Sequence, residues 1–123
     1  MKNLSWSIIF FVVLFSACGS NNSTTKEENT VQVTFIELGS VRCIPCQKMQ
    51  KVIKKVEEKY PHQVKTIFYD VWTEEGKPYA EKYHIDPIPT QVFLDQDGKE
   101  YYRHEGYFPF EDLEKILLQK INS

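Results

Sequence analysis

The stretch Cys43-Ile44-Pro45-Cys46 constrains this chain more than any other. Two thiols three residues apart stand between a β-rich apolar run and a segment with helical apolar spacing. The chain has three cysteines, and Cys18 closes an N-terminal apolar segment with a different role. Cys43 and Cys46 are therefore each other's natural partners. Such a pair can carry out disulfide exchange, form a two-thiolate copper(I) site, or serve as a structural disulfide. Zinc fits poorly, because it takes four ligands and no second Cys or His pair has ligand spacing.

The first thirty residues do not read as globular protein. Lys2 gives a positive start, and Leu4 to Ala17 is almost wholly apolar or small. A run of about fourteen residues is short of the roughly twenty that span a bilayer. It suits the apolar region of a secretory signal. Its end, Leu14-Phe15-Ser16-Ala17-Cys18, resembles a bacterial lipoprotein signal. That resemblance implies removal of residues 1–17 and lipidation of Cys18. Residues 18–30 are then a tether: Gly19 to Thr30 is small and polar, and as a coil would reach about 20 Å. The expected domain is 31–123, held outside the cytoplasm by a lipid anchor on a bacterial membrane, on the periplasmic side or the cell surface.

A hydrophobic share of 41% is enough for a packed core in one small domain. Net charge is −2, with Lys and Glu interspersed and no basic stripe, so no nucleic-acid partner is expected. Val31 to Leu38 reads as a central buried strand, ended by Gly39 and Ser40. Cys43 to Tyr60 is a helix burying Met49, Val52, Ile53, Val56 and Tyr60. Val64 to Val71 is a strand, Glu75 to His84 a short helix, and Thr90 to Leu94 a third strand. Asp95 to Gly98 turns a hairpin into Lys99 to His104, and Phe110 to Ile121 is a last helix. Strands joined through a helix should be parallel, and the hairpin antiparallel. The fold class is α/β, a mixed four-stranded sheet flanked by helices.

With these elements in place the chain resembles thioredoxin over roughly residues 31 to 121. Four local matches occur in the family's order: Cys43-Ile44-Pro45-Cys46, Ile88-Pro89-Thr90 opening a strand, Asp97-Gly98-Lys99 in the last hairpin, and Gly106 before the final helix. The resemblance implies a minimal thioredoxin-like fold, without the family's first strand and helix. It implies a redox pair at Cys43 and Cys46, and a cis bond before Pro89. It implies a substrate groove lined by Val41, Arg42, Ile44, Ile88, Pro89 and Gly106. Protein disulfides would be the substrates, for a monomer with no cofactor and no metal. Arg42 stands where the family has Trp, Ile44 replaces a Gly, and Glu37 replaces a buried Asp. These departures resemble the extracytoplasmic, membrane-tethered branch.

The residues themselves suggest roles. Cys43 at a helix N-terminus, beside Arg42, is favoured as a thiolate and is the expected nucleophile. Cys46, one turn in, is the resolving thiol. Glu37 is a carboxylate in an apolar strand, either a proton acceptor for Cys46 or one half of a pair with a lysine. His62, His84 and His104 read as solvated structural histidines. The expected function is thiol–disulfide exchange outside the cytoplasm. The favoured direction is reductant, fed by a membrane electron-transfer partner, with apocytochrome c thiols among its clients. Oxidase or isomerase activity is the alternative, and copper(I) binding a weaker one.

Overall fold

The computed structural model describes residues 30–121. The expected signal, nearly all of the tether and the proposed lipidation site Cys18 lie outside the described residues. Within them, strand β1 (Val33–Gly39) leads to helix α1 (Ile44–Lys59), β2 (Val64–Asp70) and α2 (Lys77–Lys82). Then follow β3 (Thr90–Leu94), β4 (Glu100–Glu105) and α3 (Phe110–Ile121).

The strand order is β2-β1-β3-β4. Strand β1 pairs parallel with β2 and antiparallel with β3, and β3 pairs antiparallel with β4. A parallel pair needs a long crossover, which α1 supplies. Central placement explains why β1 is apolar almost throughout, since both its faces are covered. Val33 and Phe35 meet Met49, Val52 and Val56 of α1 and Leu113 and Leu117 of α3. Ile36 and Leu38 point the other way, with Val92, toward Tyr79 and Tyr83 around α2. Side chains alternate along a strand, so Glu37 and Gly39 share the α1 face with Phe35.

Several boundaries differ from expectation. Val31 is 40% exposed and precedes the first strand. Gly39 does not break β1; it is the strand's last residue and pairs with Asp70. Cys43 is the N-cap of α1, with extended backbone, not its first helical residue. The second helix is six residues long, shorter than expected. The hairpin turn is held by Asp95, whose Oδ1 accepts from the backbone N–H of Asp97 and of Lys99, each at 3.0 Å. Gly98 there has φ 79°, a left-handed conformation that favours glycine. No helix among the described residues is long and apolar enough to cross a membrane.

Candidate active site

Both parallel strands, β1 and β2, end at the same edge, and ligand sites in such sheets gather at these carboxyl ends. The chain leaves Gly39, turns through Ser40 to Arg42, and enters α1. Cys43 N–H donates to Ser40 O at 3.1 Å, closing the turn. Cys43 and Cys46 form a disulfide with a Cα–Cα separation of 5.2 Å, inside the usual span. Cys43 Sγ accepts from the Cys46 backbone N–H at 3.4 Å. One of the helix's otherwise unpaired N–H groups is thus aimed at this sulfur. Pro45 falls in the first helical turn, where a missing N–H costs nothing. Cys43 is 9% exposed and Cys46 1%. The order is the expected one, but Cys43 is more covered than a free nucleophile would be.

The rim is apolar and open. Val41 is 62% exposed and Ile44 70%. Arg42 projects its guanidinium over Trp72, 5.4 Å from the ring centroid. Asp70, the last residue of β2, ties the two loops together. Its carboxylate accepts from Val41 N–H at 3.2 Å and from Trp72 N–H at 3.0 Å. Partial desolvation pulls the Asp70 carboxyl up. Those two N–H groups, Ser40 and Arg42 together outweigh it and hold the carboxyl below its ordinary range.

The floor is sealed. A Cβ built on Gly39 would lie 3.1 Å from Cys46 Sγ, so Cys46 packs directly on the end of β1. Glu37 is two residues back on the same face and 1% exposed. Neither of its carboxylate oxygens has a hydrogen-bond partner. Burial pushes its pKa from 4.5 to about 8, and the neighbouring Gln91 amide counters this only in part. No lysine among the described residues pairs with it.

The Ile88–Pro89 bond is cis. Leu38 pairs with Thr90 at the end of the β1–β3 ladder, and continuing that register brings Pro89 level with Gly39, on which Cys46 packs. Gly106 N–H donates to Pro89 O at 2.7 Å, with Gly106 at φ 88°. Pro89 is buried and Ile88 half-buried. The structure thus gathers Val41, Arg42, Ile44, Pro89 and Gly106 around one edge, with Ile88 just before the proline.

Sequence reasoning missed Gly39, Asp70, Trp72, Gln91 and His104. Asp70 could have been found as the residue ending the strand parallel to β1. His104 is not simply solvated: its Nδ1 lies 2.9 Å from Gln91 Oε1, and its ring stacks on Phe108 at 4.1 Å.

Comparison with known proteins sharpens what this edge is. An H-type thioredoxin of Oryza sativa subsp. indica is 33% identical over 76 residues, covering 62% of this chain and 59% of that protein. A relative from Arabidopsis thaliana is 28% identical, and this chain spans 47% of its length. An H-type thioredoxin of Fagopyrum esculentum is 27% identical over 98 residues, covering 80% of this chain and 81% of that one. A thioredoxin structure from Halobacterium salinarum superposes with a TM-score of 0.67 at 20% identity, over 76% of this chain and 78% of that one, and so shares the fold. The family profile of the thioredoxin-like domain matches residues 21–121. The matched span holds the disulfide at the helix N-terminus, the cis-proline and the sheet order, and the chain belongs to the thioredoxin-like domain family.

Proposed function

We propose that the protein is a thiol–disulfide oxidoreductase that reduces protein disulfides outside the cytoplasm. The observation that carries this reading is the Cys43–Cys46 disulfide at the head of α1, with one sulfur at the N-cap and the other one turn inside. In the dithiol form, Cys43 thiolate attacks a client disulfide and expels one client thiolate. Cys46 passes its proton through water to the ionised fraction of Glu37 and attacks Cys43 Sγ. The Cys43–Cys46 disulfide forms and the second client thiol leaves, with two electrons passed to the client. The apolar rim of Val41 and Ile44 suits an extended client segment around its cysteine. A membrane electron donor would restore the dithiol, and apocytochrome c is a fitting client. The lipoprotein-like ending at Cys18 supports an anchored location.

The test is trapping in the native compartment. Cys46→Ala should accumulate covalent complexes that collapse with dithiothreitol, and Cys43→Ala should not. The partners captured would name client and donor. Equal trapping by both variants would mean that the pair does not work by sequential exchange. Mass spectrometry of the membrane fraction should find an acylated N-terminus at Cys18, and a soluble mature protein with free Cys18 would sink the anchor.

A further inference from the structure

Glu37, Gln91 and His104 form one line across the sheet. Gln91 in β3 is the direct cross-strand partner of Glu37 in β1 and of His104 in β4. The row interrupts an otherwise apolar face: Phe35 and Phe93 stack beside it, and Phe108 covers the His104 ring. Gln91 has no exposed surface, and its Oε1 is bonded to His104 Nδ1. Its Nε2 has no partner, nor does either oxygen of Glu37. An unused donor and an unused acceptor thus stand on directly opposed residues.

An amide oxygen only accepts, so His104 Nδ1 carries the hydrogen in this arrangement. That bond fixes which way the amide faces. We propose that His104 is a positioning residue for Glu37: by donating to Gln91 Oε1 it turns the Gln91 NH2 group toward the carboxylate and favours the ionised acid. The protonated acid keeps a C=O that can still accept from that NH2, but its new O–H calls for the reverse. Its O–H can donate to Gln91 only if the amide turns its oxygen inward and its NH2 outward. His104 Nδ1 must then accept, with the ring hydrogen on Nε2. Satisfying that O–H through Gln91 thus links proton gain at Glu37 to an amide flip and a tautomer exchange at half-exposed His104. The exchange moves one ring hydrogen from Nδ1 to Nε2 by way of water and leaves the ring charge unchanged. The proton on Glu37 comes from Cys46 or from solvent.

Among the described residues, no other charged group contributes to the shift of the acid, which burial and Gln91 set. In the cluster beside this row Met49 of α1 and Phe108 before α3 are apolar, and Cys46 packs on Gly39, two residues from Glu37 on the same face. From β2 comes Phe68, with Asp70 next along and already engaged by Val41 and Trp72. Beside His104, Arg103 is occupied by Glu100, with Nε at 2.7 Å from Oε1.

The use of this coupling in turnover rests on the reading of Glu37 as proton acceptor, but the coupling can be measured without it. In labelled full-length oxidised protein in micelles, NMR would follow the Glu37 carboxyl carbon and the His104 ring nitrogens against pH. The His104 tautomer signature should change at the Glu37 midpoint and lose that step in Glu37→Gln. His104→Phe keeps the stack on Phe108 but removes the donor. It should lower the Glu37 ionisation constant about threefold, and His104→Gln, which restores an N–H donor, should stay near wild type. A His104 tautomer that ignores the Glu37 transition, or a Glu37 midpoint unmoved in His104→Phe, would overturn the proposal. If the coupling is seen while Glu37→Gln leaves the Cys46 exchange step at full rate, the proton-acceptor reading fails and the coupling stands.

Discussion

The disulfide separates two regions that break opposite rules. On the rim, Val41, Ile44 and Trp72 are apolar groups left in water. On the floor, Glu37 and Gln91 are polar groups sealed from it, with unpaired atoms. Apolar burial and polar satisfaction are the ordinary sources of stability, and both are given up within one turn of the same cysteines. Exposed apolar side chains recover their hydration cost when a partner covers them. A buried carboxyl recovers its cost only by holding a proton. The rim therefore offers apolar surface for contact, and the floor holds a carboxyl that burial favours in its protonated form.

Removing either sulfur breaks the comparison most completely. Cys43→Ala should abolish reduction of any disulfide substrate, to the limit of detection. Cys46→Ala should leave the first attack intact and stop release. Rapid-quench assays on a small disulfide would separate the two, and a Cys43→Ala variant with residual turnover would contradict the assignment.

The floor is tested next, through stability. A raised carboxyl pKa means that the folded state holds the proton more tightly than the unfolded chain does. Stability is therefore full below pH 4.5 and is lost as pH rises toward 8. Between pH 4.5 and neutrality the loss from Glu37 is on the order of 3 kcal/mol. Glu37→Gln should flatten that slope in urea titrations of the oxidised protein and make it the more stable form at pH 7. A slope unchanged by the substitution would mean that the acid is solvated or paired in solution.

The fold and the cysteine pair were legible in the sequence for one physical reason. Apolar periodicity and the Cys43–Cys46 spacing are local, and the sheet needs little beyond them. Asp70 and Gly39 were not legible, because their roles depend on β1 and β2 ending side by side. Gln91 and His104 were hidden for the same reason. They are thirteen residues apart and meet only through the ladder. Glu37 could be singled out, but choosing between a lysine pair and an unpaired acid needed the identity of every neighbour across the sheet.

Gly39 is where rim and floor touch, and its substitution sets two effects against each other. Ala in place of a strand Gly gains about 0.5–1 kcal/mol through the unfolded chain. Against that, the new Cβ would sit 3.1 Å from Cys46 Sγ and 3.2 Å from its Cβ. Cys46 is held by α1 and by the disulfide, so it yields little, and overpacking of this kind costs about 1–3 kcal/mol. Gly39→Ala should thus destabilise the oxidised protein by about 1 kcal/mol net. The reduced protein should lose less, because a free thiol can rotate away. Equal losses in both redox forms would show that the contact is with the helix, not the sulfur.

A last comparison separates the rim's charge from its apolar surface. Arg42 is adjacent to Cys43, and its guanidinium rests on Trp72 near the Asp70 carboxylate. A positive charge there favours the thiolate once the disulfide is reduced, in addition to the backbone N–H aimed at Cys43 Sγ. Arg42→Glu removes that charge and adds a negative one beside Asp70. Alkylation of reduced Cys43 by iodoacetamide at pH 7 should slow about tenfold, equivalent to about 1.4 kcal/mol. Because the rim is open to water, the difference should shrink in 1 M salt, where screening acts over about 3 Å. Trp72→Ala keeps the charge but frees the arginine, and should slow alkylation less than Arg42→Glu does. If Arg42→Glu reacts as fast as wild type in low salt, the helix terminus alone sets the reactivity. The rim would then act on clients through Val41, Ile44 and Trp72, by contact rather than by charge.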